Sequence, residues 1–135
     1  MAISQSMRYA PVLVEKVVSL AASSGTAVGI AVPAGTTVLA AGFQNFTVVP
    51  DVATYTLDVT DGTTVFANDL NFDNTAANTN KGGVTPGFIA AADTIDVVTT
   101  ISGSPGVITG RVWAVVVDCS KSAEAASDVD RDQLA

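Results

Sequence analysis

Asp69, Asn71 and Asp73 stand two apart in the stretch DLNFDN (69–74), the spacing at which a calcium loop places its first three ligands. Hard cations take oxygen ligands, so carboxylates and amides are the right chemistry for such a site. A complete loop continues with Gly at position six and a bidentate Glu at position twelve. Here those positions hold Asn74, which tolerates a left-handed backbone, and Asn80, which has neither the charge nor the two-oxygen grip. Leu70 and Phe72 alternate with the three polar residues, as a half-buried strand demands. The stretch therefore reads as the edge of a strand, with a weak calcium site as the alternative. No cofactor is expected.

Four other carboxylates come in pairs. Asp58 and Asp61 flank a hairpin signal, and Asp93 and Asp96 flank the start of a strand. Two carboxylates facing each other across about 5–10 Å would suit glycoside hydrolysis. Turn-forming and edge charge is the simpler use of Asp at these places. The chain has no histidine, which removes Ser-His and Cys-His nucleophilic pairs and the usual zinc sites. Its single cysteine, Cys119, follows Asp118, and an acidic neighbour raises a thiol pKa rather than lowering it. Neither GTT (35–37) nor GG (82–83) is followed by the Lys-Ser/Thr of a phosphate loop. These residues argue for no enzyme.

The elements that would position these residues read as strands. PVLVEKVVSL (11–20) sets Val12, Val14, Val18 and Leu20 against Leu13, Glu15, Val17 and Ser19. TAVGIAV (26–32) sets Val28, Ile30 and Val32 against a small-residue face of Ala27, Gly29 and Ala31. PAG (33–35) is a turn, and TTVLAAGFQNFTVV (36–49) is long enough for Gly42 to mark a bulge or bend. TYTLDV (54–59) alternates cleanly with Tyr55, Leu57 and Val59 inward, and Asp61-Gly62 signals a hairpin back into TVFAN (64–68). Residues 73–87 are polar, small and Asn/Thr/Gly-rich, and read as an exposed loop. FIAAAD (88–93) fits a short helix or an extended link, and TIDVVTTI (94–101) is a strand. In VITGRVWAVVVDCS (107–120) both faces are apolar enough to predict cover on both sides, with Trp113 as a core anchor rather than a stacking partner of Arg111.

About seven to nine short strands with turns between them predict an all-β fold, an antiparallel β-sandwich or jelly roll. The expected organisation is an N-terminal arm over 1–11, a sandwich domain over 12–120 and an acidic tail or short helix over 121–135.

Composition narrows the function classes. The chain is 48% hydrophobic but 14% charged, against about 25% in ordinary globular proteins, and its mean hydropathy is +0.44. No apolar run approaches the roughly 20 residues of a spanning helix, and MAISQSMRYAPV lacks the pattern of a secretory signal. The expectation is a soluble chain with no membrane partner. Apolar content this high with so few charges predicts that other subunits cover part of the surface. The formal net charge is −7, and the six Lys and Arg are scattered, so no nucleic-acid partner is expected.

In VPAGTTVLAAGFQNFTVV, YTLDVTDGTTVFAN and ITGRVWAVVVDCS the chain resembles the head decoration, or cement, proteins of tailed bacteriophages, which have jelly-roll-like folds. The likeness covers roughly residues 26–120; one departure is Thr60, where such hairpins often carry Gly. The resemblance implies a non-enzymatic virion protein made in the host cytoplasm. It would bind the major capsid protein on the outer face of the capsid, as a homotrimer, and tie neighbouring capsomers together. The expected shell contact is the N-terminal arm, with Met1, Ile3, Met7 and Tyr9 as anchors. A second reading is a tail-fibre or spike module that binds a host glycan through loop 73–87 and aromatics such as Tyr55 or Phe72.

Overall fold

The structure is a computed structural model and describes residues 10–118. It contains nine strands: β1 (Val12–Leu20), β2 (Gly25–Val32), β3 (Thr36–Asn45), β4 (Thr54–Thr60), β5 (Val65–Asn71), β6 (Asn80–Gly83), β7 (Gly87–Ile89), β8 (Asp93–Ser102) and β9 (Ile108–Asp118). They form two antiparallel sheets packed face to face. Sheet I has the order β1-β9-β3, with β6 and β7 both on the far side of β3; sheet II has the order β2-β8-β4-β5. Pro86, which has no N–H for a ladder, lies between β6 and β7. Counting those two as one interrupted strand gives eight strands in jelly-roll order, the expected all-β sandwich.

Alternation places the core. Tyr55, Leu57 and Val59 of β4 and Ile95 and Val97 of the neighbouring β8 are all buried, with Val59 opposite Val97. Opposite them, β9 turns Ile108, Val112, Ala114 and Val116 inward. Phe43 and Phe72 meet edge to face at 5.6 Å and 84°, a favoured aromatic geometry. Each such apolar side chain contributes about 1.5–3 kcal/mol on leaving water.

Several elements depart from expectation. The other face of β9, with Arg111, Trp113, Val115 and Val117, is only partly covered, so the strand is enclosed on one side and Trp113 lies outside the core. In β2 a bulge between Ala27 and Ile30 reverses the alternation. It turns Val28 out to solvent and buries Gly29, whose N–H donates to Asp96 Oδ1 at 3.1 Å. The bulge of β3 falls between Val38 and Ala40 rather than at Gly42. Residues 73–87 are partly structured, because Asn80–Gly83 pairs with β3 and Thr75 bridges Val49. Residues 88–93 begin as the end of β7 and form no helix.

Buried Asn45 at the end of β3 holds that stretch. Its Nδ2 donates to the carbonyls of Thr47 (2.8 Å) and Ala76 (2.9 Å), and its Oδ1 accepts from the Thr79 N–H (2.9 Å). Its backbone carbonyl accepts from the Asn78 N–H at 2.7 Å. At the β4–β5 hairpin, Gly62 has φ +94° and Asp61 Oδ1 accepts from the Thr63 and Thr64 N–H groups. Thr60, where Gly was the alternative, uses its hydroxyl to donate to the Thr64 carbonyl and accept from the Gly62 N–H.

Candidate functional site

The outward faces of the two sheets differ. Sheet II presents Thr54, Thr56, Asp58, Thr94, Asp96 and Thr100, together with Val98 and the exposed Val28. Sheet I presents Leu13 and Val17 from β1, Trp113, Val115 and Val117 from β9, and Phe88 from β7. Of these, Leu13 (59%), Val17 (64%) and Phe88 (59%) are well exposed.

A depression of about 270 Å³ lies on the sheet I face, lined by Leu13, Glu15, Gln44, Asn80, Arg111 and Trp113. Strand register builds it. Trp113 is opposite Gly42 on one side and Glu15 on the other, and Gly42 is opposite Gly82 on β6. A Cβ at Gly42 would stand 2.5 Å from Trp113 Cζ2, and one at Gly82 would stand 2.6 Å from the same atom. The indole thus runs along the sheet over two backbones that have no side chain there. Its Nε1–H donates to Asn80 Oδ1 at 2.7 Å. Arg111 Nη1 donates to both Glu15 oxygens at 2.9 and 3.0 Å, and the guanidinium stands 5.2 Å from the Phe46 ring centroid. Arg111 therefore stacks on Phe46, not on Trp113.

The predicted carboxylates have backbone partners. Asp69 has φ +51°, at an irregularity in the β4–β5 pairing, and its N–H donates to Asp58 Oδ1 at 2.7 Å. Asn71 Oδ1 accepts from the Asp73 N–H at 2.9 Å, and Asp73 Oδ1 accepts from the Val52 N–H at 2.7 Å. Asn71 and Asp73 thus meet at one turn, where Asn74 adopts φ +50°, while Asp69 turns towards Asp58. The cation beside this turn is Lys81, whose Nζ donates to the Asn71 carbonyl and stands 5.3 Å from the Phe72 centroid. Among the described residues, no group of three or more His, Cys, Asp or Glu is arranged to hold a metal ion.

Asp93 Oδ1 accepts from the Thr94 N–H at 2.7 Å. The acids sharing a depression are Asp61 and Asp93, beside Phe88 and Ala91, rather than either pair adjacent in sequence. Met1, Ile3, Met7, Tyr9 and Cys119 lie outside the described residues. Tyr55 and Phe72, the aromatics assigned to glycan contact, are both buried at 1% exposure and present no surface for one. Burial pushes the Tyr55 hydroxyl up to about 12, and that hydroxyl has no hydrogen-bond partner. Sequence reasoning missed Asn45 and the part that Gly42 and Gly82 play beneath Trp113, because these roles depend on which strands pair.

No protein-family model matches the chain, and no curated protein matches it. Its structure is similar to a chain in the acidic stable capsid structure of Helicobacter pylori bacteriophage KHP30, with a TM-score of 0.54 and 14% sequence identity. The overlap covers 82% of this chain and 95% of that one. What the two share is the fold.

Proposed function

We propose that this protein is a non-enzymatic structural component of a phage virion. It binds the outer surface of the capsid and stabilises the shell by bridging neighbouring capsomers. The observation that carries this reading is the fold overlap with nearly the whole length of a chain from a phage capsid structure. The chemistry of the surface supports it. Asp58, Asp61, Asp73, Asp93 and Asp96 each accept a hydrogen bond from a backbone N–H, which is structural work.

The shell contact is the outer edge of β1, which pairs only with β9 among the described residues, with Val12 and Val17, together with the N-terminal residues Met1, Ile3, Met7 and Tyr9. Edge strands carry unpaired backbone groups, and Val12 (55%) and Val17 are exposed apolar side chains beside them. The partner is the major capsid protein, and the bound form is a homotrimer. A protein that binds only the assembled lattice favours that lattice by mass action.

Cosedimentation of the purified chain with capsid shells lacking it tests this. Saturation at a fixed ratio to the shell protein, with a rise in shell melting temperature, is expected. A chain without residues 1–9 should bind at least about tenfold more weakly, roughly 1.4 kcal/mol. Failure of the intact chain to sediment with shells would overturn the proposal.

A further inference from the structure

We propose that the depression around Trp113 on the outward face of sheet I binds an uncharged pyranose sugar. This inference is independent of the capsid reading. A pyranose has apolar C–H faces and a belt of hydroxyls. It is bound by an aromatic surface beneath the ring and planar polar groups at its edge, the usual division of labour in small-ligand sites.

Trp113 supplies such a surface. Its six-membered ring rests over Gly42 and Gly82, and Asn80 holds its Nε1 at 2.7 Å. The ring is therefore oriented before any ligand arrives, which lowers the ordering cost of binding. The indole is partly exposed, and its open surface lines the depression. This is an unusual place for the only tryptophan of the chain, since the core lies on the opposite face of β9.

The rim supplies hydroxyl partners of every kind. Gln44 and Asn80 offer amides that both donate and accept, Glu15 accepts and Arg111 donates. Charge selects against ions. Glu15 accepts two bonds from Arg111, so an anion would have to displace a carboxylate, and a cation would meet the guanidinium. At about 270 Å³ the depression is just below the size of drug-sized clefts, about 300–1,000 Å³, and suits a single ring.

The sole tryptophan makes the test direct, because its indole N–H gives one signal in the ¹⁵N-labelled full chain. Methyl β-glucopyranoside, methyl β-galactopyranoside and N-acetylglucosamine are titrated separately. At least one should shift the indole and the Gln44 side-chain amide signals saturably, with a dissociation constant of about 1 mM. Trp113→Ala should abolish the shift at Gln44. Gln44→Ala removes only a rim group and should weaken binding at least threefold while the indole still reports it. No saturable indole shift with any of the three sugars overturns the proposal, as does undiminished binding by Trp113→Ala. An indole signal moved by isolated shell protein but by none of the sugars assigns the depression to protein contact and also overturns it.

Discussion

The indole of Trp113 occupies the space that a side chain at Gly42 would need, with Cζ2 2.5 Å and Cε2 2.7 Å from the position of a Cβ there. Gly42 is buried, and the Lys81 carbonyl crowds the same point from β6. A methyl group has nowhere to go unless the ring lifts or β6 moves. Gly42→Ala should therefore destabilise the protein by about 1–3 kcal/mol, the usual effect of overpacking. Displaced into water, Trp113 should also shift its fluorescence to longer wavelength. Unchanged emission together with an unchanged melting temperature would contradict this packing.

Asn45 makes the second prediction. Asn45→Ala empties a buried position and strips two carbonyls and one N–H of their part-buried partner, and should cost about 1–3 kcal/mol. Hydrogen exchange should accelerate first at Asn78 and Thr79, which mark the segment that Asn45 ties down.

Tyr55 gives stability a pH dependence at the alkaline end. Burial raises its hydroxyl from 10.0 to about 12, so above pH 10 the unfolded chain loses this proton before the folded one does. The contribution is fully present below about pH 10 and is lost as pH rises towards 12, amounting to about 2–3 kcal/mol. Denaturant midpoints measured against pH should fall across that window. Tyr55→Phe should remove Tyr55's share of the fall. It should also raise stability near neutral pH by about 1 kcal/mol, since the hydroxyl it deletes is buried without a partner.

Lys16 guards an edge. It lies on the inward face of β1, opposite Val112, between Val14 and Val18 on that face, yet it is exposed. A charge in that position opposes strand addition at an edge that carries no further strand among the described residues. Lys16→Val should leave the monomer folded and promote self-association, read as a concentration-dependent rise in mass by light scattering. A variant that stays monomeric at all concentrations would show that the charge does not perform this role.

The fold was legible wherever one side of a strand is apolar and the other polar. β4 and β8 show this pattern, and Asp61-Gly62 marks their hairpin neighbour with the residues that the turn requires. β9 was misread because Val115 and Val117 make its outward side nearly as apolar as its inward side. Alternation finds two faces but does not say which is inside. Gly42 and Gly82 decide the matter for Trp113, yet they are 40 residues apart in sequence and become neighbours only through β3–β6 pairing. That pairing was hidden because Asn80–Gly83 is short, polar and glycine-rich, as an edge strand can afford to be. In β2, one bulge carried Val28 to the opposite side of the sheet. At Asp69 the left-handed backbone shifts the register of β5 against β4, though Leu70 and Phe72 still turn towards the core. The spacing that suggested a metal loop thus has a backbone explanation in the partners of Asn71 and Asp73.

The central claim, a shell-bound structural role, is tested most directly by the copy number of this chain in purified particles relative to the main shell protein. Quantitative mass spectrometry supplies it. A number of the same order as the shell protein, constant from one preparation to the next, is the expected result. Absence from the particles, or only a handful of copies in each, would contradict a cement role.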